Sequence, residues 1–244
     1  MKRTLPYTEI YHDDHIIAVN KSSGISVGGD RWDESIERLD HILERDYSLP
    51  KIFTVHRIDK DTSGLVIFAK DRESHRIIST AFENRLIDKK YIAVVHGRPL
   101  WKETVCDLKL VPDGNKKHMT IIDKYRGKES VTRFVLSAGV SCGHVNYSVL
   151  EVFPQTGRIH QIRVHAASLG HPVVCDNLYG NGKPVFLSSF KKKWRGDPHD
   201  EKPLLSRLGL HAAEITLPDM NGGLNLKAPL SKDMSSLIKQ LEKI

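Results

Sequence analysis

The chain has 244 residues, with 37 Lys and Arg against 30 Asp and Glu, and carries a formal net charge of +7. No apolar run reaches the roughly 18 residues of a membrane-crossing helix, and no apolar signal-peptide core follows Met1–Tyr7, so a cytoplasmic protein with no membrane partner is expected. Cys106, Cys142 and Cys175 form no CxxC pair, which argues against a disulfide framework and a cysteine zinc site.

Ile10 to Lys21 reads as a strand with a tight turn before Ile16, ended by Ser22-Ser23-Gly24, and Gly28-Gly29-Asp30 reads as a loop. Ile36, Leu39, Ile42 and Leu43 give helical spacing to Ser35–Arg45, with Ser35 or Asp33 as its cap. A polar turn around Asp59 runs into the apolar stretch Leu65–Lys70. Glu73–Leu86 reads as a helix with Ile77, Ile78, Ala81 and Phe82 on one face, and Lys89–His96 as a strand ended by Gly97. Strands are expected at Thr104–Leu110, Lys117–Asp123, Ser130–Leu136 and Val145–Val152. Thr156–Leu169 reads as a helix capped by Thr156 and stopped by Gly170. Gly180–Arg207 is basic and irregular, His211–Leu217 and Leu224–Lys227 read as strands, and Ser231–Ile244 as a final helix. Helices among many neighbouring strands give an α+β class.

Three segments could carry chemistry. The decapeptide His56-Arg57-Ile58-Asp59-Lys60-Asp61-Thr62-Ser63-Gly64-Leu65 sets a carboxylate between two cations. Arg57 and Lys60 favour the ionised form of Asp59, and such an Asp, held on a rigid support, is a nucleophile or a general base. Charge alone equally describes a solvated turn whose ion pairs are worth about 0–1 kcal/mol each. In Lys90–Gly97, Tyr91 by itself is an ordinary strand aromatic. In Gln155–His165, two arginines and two histidines sit among apolar residues on one short helix, and a half-buried Arg needs a carboxylate or phosphate partner.

These segments resemble the RluA-type pseudouridine synthases. HRIDKDTSGLVIFAK is similar to that family's HRLDxxTSGLLLxAK signature, and Asp59 falls at its catalytic aspartate. KKYIAVVHG resembles its KxYxAxVxG segment, whose Tyr lies against the target base, here Tyr91. TGRIHQIRVH resembles TGRTHQIRVHL, with Ile159 for Thr; the Arg that pairs with the catalytic Asp is by position Arg163, while Arg158, His160 and His165 are structural or RNA-facing. Val19–Val27 resembles NKPxGxxV with Ser22 in place of Pro, Asp176–Gly180 matches DxLYG, and Leu210-His211-Ala212 resembles a closing LHA strand.

The resemblance implies one catalytic domain over residues 1–244, with its core at about 10–230 and no S4-type RNA-binding domain. Its expected fold is a mixed, largely antiparallel sheet flanked by helices, with a cleft across it. It implies an RNA pseudouridine synthase that isomerises specific uridines of ribosomal or transfer RNA by flipping the base. No cofactor, no metal and a monomeric state are expected. Asp59 would act on C1′, on the pyrimidine ring, or as a base on the sugar; Tyr91 would stack on the uracil; Arg163 would orient Asp59; and Arg57 would fill the vacated space. His56, Lys21, Arg158, His160, Lys192 and Trp194 complete the expected RNA-binding set. The run Lys191–Arg195 fits a solvated basic loop equally well. Two competing readings remain: Asp59 and Asp61 as a glycosidase carboxylate pair, and an inactive RNA-binding module of the same fold.

Overall fold

The structure, a computed structural model, describes residues 6–29, 37–115, 119–142, 145–192, 194–218 and 223–243. The described elements, in chain order, are β1 (Tyr7–His12), β2 (Ile16–Lys21), α1 (Leu39–Asp46), β3 (Phe53–Thr54), β4 (Ser63–Ala69), α2 (Arg72–Glu83), β5 (Asp88–His96), β6 (Glu103–Cys106), β7 (Leu110–Val111), β8 (Ile121–Ile122), β9 (Thr132–Cys142), β10 (Val145–Pro154), α3 (Gln161–Ser168), β11 (Leu210–Leu217), β12 (Leu224–Lys227) and α4 (Lys232–Leu241). The class is α+β, with mixed but largely antiparallel strand pairing. Among the described residues no helix is long and apolar enough to cross a membrane. The chain divides into two compact units, Met1–Lys89 with His211–Pro229, and Lys90–Leu210 with Leu230–Ile244.

In the first unit every residue of β4 is buried, as a central strand of Leu, Val, Ile and Phe requires. It pairs antiparallel with β2, from Ile16 opposite Ala69 to Lys21 opposite Gly64, and parallel with β11 at Ser63–His211 and Gly64–Ala212. Gly64 sits at φ +115°, and a Cβ there would lie 2.2 Å from the Ala212 carbonyl oxygen. Only glycine tolerates both that backbone conformation and that approach. Ile16, Ala18, Leu65, Ile67, Ile78 and Ile215 form the core. The Asp71 side chain accepts from Ser74 N and caps α2.

The helix expected at Ser35–Arg45 begins at Leu39. Arg38 is extended and bridges Ser26, so it lies outside the helix. Ser35 and Asp33, the expected caps, lie outside the described residues.

In the second unit β10 lies between β5 and β9, and β6 flanks β9, all antiparallel. Helix α4 buries Met234, Leu237, Ile238 and Leu241 with Val94, Tyr147 and Phe190. The strand expected at Thr104–Leu110 splits into β6 and β7. That expected at Lys117–Asp123 shortens to β8, with 116–118 outside the described residues.

The helix expected from Thr156 starts only at Gln161. His160 takes a left-handed conformation (φ 55°), and the buried Thr156 hydroxyl donates to Gln161 Oε1 at 2.8 Å while accepting from Val131 N at 2.9 Å. The described residues between Gly180 and Arg207 are irregular apart from a short 3-10 turn at Leu187–Ser189, and are pinned by a Val185–Leu205 bridge and by buried Phe190.

Candidate active site

The Asp59 turn is fixed through its carbonyl groups. Thr62 N donates to Asp59 O at 3.1 Å, which closes the turn. The loop after β2 meets it from the side: Gly24 N donates to Lys60 O at 2.8 Å and Ser23 Oγ to Asp61 O at 2.6 Å. Lys21 completes this seam. It is 1% exposed, and its ammonium donates to the carbonyls of Ser22, Ile25 and Lys60 at 2.9–3.0 Å. Lys21, expected on sequence to face RNA, is buried instead, and its work is to tie two loops together. Asp59 is half-buried and Arg57 is exposed at the turn's surface.

His56, also expected to face RNA, stacks on Phe82 with ring centroids 4.7 Å apart, and its Nε2 accepts from Ile67 N at 3.0 Å. An accepting Nε2 requires the neutral ring. Burial, aided by the nearby Lys89 charge, pushes its pKa down to about 3. Its place is structural, bracing the turn against β4 and α2.

In the second unit Tyr91 lies opposite Val152 in the β5–β10 pairing. It is half-buried against a cluster that includes Ala93, Val95, Phe134 and Ile162.

Arg163 is almost wholly buried and forks onto Asp176. Nε donates to Oδ2 and Nη2 to Oδ1, each at 2.8 Å, with the two side chains 5% and 0% exposed. Asp176 Oδ1 also accepts from Leu178 N at 2.9 Å and Tyr179 N at 3.1 Å. Burial alone would raise this carboxyl, but Arg163 and the two backbone donors outweigh it and hold its pKa below the ordinary value. The Tyr179 ring lies 5.3 Å from the Arg163 guanidinium carbon. Its hydroxyl accepts from Thr120 N at 2.9 Å and lies 3.0 Å from His160 Nδ1. Asp176 and Tyr179 belong to the DNLYG match, whose pattern alone carries no role for them.

Gln161 ties the start of α3 to β9 through Val131 O at 3.0 Å and Thr132 Oγ1 at 2.9 Å. His165 is fully buried between Thr132 Oγ1 and Leu108 O, a structural position. Arg158 is half-buried and donates from Nε to Glu129 O at 3.1 Å. Lys192 is exposed and Trp194 half-buried beside Gly196; Lys193 lies outside the described residues. Among the described residues no group of His, Cys, Asp and Glu is placed to hold a metal ion.

The family model described as RNA pseudouridylate synthase matches residues 15–168, a span that contains Asp59, Tyr91 and Arg163. The dual-specificity RNA pseudouridine synthase RluA of Vibrio vulnificus is 36% identical over 215 residues, 87% of this chain and 78% of that protein. The ribosomal large subunit pseudouridine synthase C of Buchnera aphidicola is 32% identical over 246 residues, 95% of this chain and 70% of that one. Among solved structures, human RNA pseudouridylate synthase domain containing 4 shares the fold at a TM-score of 0.71 and 20% identity, covering 96% of this chain and 92% of its own. Human RNA pseudouridylate synthase domain containing 1 does so at 0.67 and 23%, covering 100% and 98%.

Proposed function

Because this chain belongs to the RluA-type family of RNA pseudouridylate synthases, which are isomerases, we propose that it converts specific uridines of ribosomal or transfer RNA to pseudouridine with Asp59 as the reacting carboxylate. The ribosomal reading draws on the relatives named for the large ribosomal subunit, and the transfer-RNA reading on the family resemblance. The reaction breaks the uracil N1–C1′ bond, turns the base and joins C5 to C1′. It is redox-neutral and balances without a co-reactant.

The observation that carries this reading is the anchoring of the Asp59 turn. A seam of backbone and side-chain bonds from residues 21–25 holds Lys60 and Asp61 at their carbonyls, so Asp59 is presented on a braced turn and not on a loose loop. A reacting carboxylate gains most from such fixing, since misplacement by about 1 Å costs on the order of a hundredfold in rate.

The base must leave the stack at a cost of a few kcal/mol, and in this reading exposed Arg57 enters the vacated space. Tyr91 stacks on the uracil and assists proton removal from C5 late in the reaction. Arg163, ordered by Asp176, is the arginine that the family resemblance assigns to the catalytic aspartate. Lys192, Trp194, Arg158 and His160 contact RNA.

RNA carrying tritium at uracil C5 tests the proposal. Isomerisation frees the label into water; an inactive RNA-binding module or a glycoside hydrolase leaves it in place.

A further inference from the structure

We propose that His211 is a positioning residue for this reaction, acting through the Ser63 hydroxyl to fix the end of the turn that carries Asp59. The inference rests on the reading of Asp59 as the reacting group.

Ser63 opens β4, immediately after the Asp59–Thr62 turn. Its Oγ lies 2.9 Å from His211 Nδ1 on β11, and His211 Nε2 lies 3.2 Å from the Ala228 carbonyl oxygen. Ser63 is 3% exposed and His211 0%. A carbonyl oxygen only accepts, so Nε2 carries a proton, and in the neutral ring Nδ1 then accepts from the Ser63 hydroxyl. Ala228 N in turn donates to Ala213 O at 2.9 Å, so the residue that fixes the ring is itself fixed to β11.

A polar pair is a costly choice here. All seven residues of β4 are buried, and an apolar pair would fill the same space without desolvating a hydroxyl and an imidazole. The strands need no help to associate, because β4 and β11 already pair through Ser63 and Gly64, and Gly64 has no room for a Cβ against Ala212. The bond adds orientation at the residue where the turn becomes strand. Thr62 N holds Asp59 O, and Ser63 follows Thr62, so a rotation at Ser63 passes directly into the turn. A shift of that kind is what a reacting carboxylate tolerates least.

The two ring nitrogens can be replaced separately. Asn at position 211 sets an acceptor oxygen where Nδ1 stands and keeps the bond from Ser63. Gln sets a donor where Nε2 stands and keeps the bond to Ala228 but not the one to Ser63. The experiment measures single-turnover pseudouridine formation, RNA affinity and thermal midpoint for S63A, H211Q and H211N. S63A and H211Q should lose about ten- to a hundredfold in rate with RNA affinity unchanged, while H211N stays within about threefold of wild type. Wild-type rates in S63A or H211Q, equal loss in H211N and H211Q, or a loss of RNA affinity parallel to rate would overturn the assignment. D59N, run alongside, separates the two readings. Turnover in D59N removes the Asp59 reading itself, whereas an inert D59N beside a full-rate S63A removes only the role of His211.

Discussion

Arg163 and Asp176 form a two-pronged ion pair, both bonds at 2.8 Å, in surroundings that leave neither side chain more than 5% exposed. The guanidinium is therefore oriented before any RNA arrives. A buried pair of this geometry is worth less as a source of stability than as a fixed direction, because desolvation offsets much of its attraction.

Breaking it from one side is another matter. Asp176→Asn leaves the buried Arg163 charge without this carboxylate, and should cost about 3–5 kcal/mol in denaturant unfolding at neutral pH. The acid response fixes the sign. A carboxyl whose folded pKa lies below its ordinary 3.8 contributes stability that is present above that value and is lost as pH falls through the folded pKa. Wild type should thus converge on Asp176→Asn in strongly acid solution. A constant gap from pH 7 to pH 2 would contradict the assignment.

His56 gives a second pH window. Its ring is held neutral, with a folded pKa of about 3 against an ordinary 6.5. The unfolded chain takes up that proton first, so the stability tied to His56 is whole above pH 6.5 and declines as pH falls toward 3. His56→Gln, whose amide oxygen can still accept from Ile67 N, should flatten that part of the profile. Equal slopes in variant and wild type between pH 7 and pH 4 would count against it.

Lys21→Met separates a structural cation from an RNA-binding one. It leaves three carbonyls without this donor, each worth about 1–3 kcal/mol when buried and unsatisfied, so the thermal midpoint should fall sharply. The slope of log affinity against log salt should stay at the wild-type value, whereas Lys192→Ala should lower it by about one. A reduced slope in Lys21→Met would return Lys21 to the RNA surface.

Tyr91→Phe keeps an aromatic ring packed against the same apolar cluster and removes the hydroxyl. RNA affinity and stability should hold while single-turnover formation slows, by about a hundredfold if the hydroxyl moves a proton. An unchanged rate would confine Tyr91 to packing.

Much of the fold was legible because it is local. Strand β12 falls at Leu224–Lys227 as its pattern indicates, and β5 differs from expectation only by Asp88 at its start. What escaped is tertiary. Thr156 has the look of a helix cap, yet its hydroxyl is engaged with Val131 N, 25 residues earlier in the chain. Lys21 reads as a surface cation until Lys60 O, 39 residues on, is seen to receive it. The DNLYG turn was visible as a pattern, but nothing in it indicates that Asp176 meets Arg163 across the Gly170 turn. Periodicity reports which face is apolar; it does not report which carbonyl or carboxylate a buried cation meets.

The central claim is that the Asp59 carboxylate performs the isomerisation. Its most direct measurement is tritium release from RNA labelled at uracil C5, in single turnover, by wild type and by Asp59→Asn brought to equal RNA occupancy. Asp59→Asn should bind RNA as wild type does and free no label above the enzyme-free control. Release by the variant at any substantial fraction of the wild-type rate would contradict the claim.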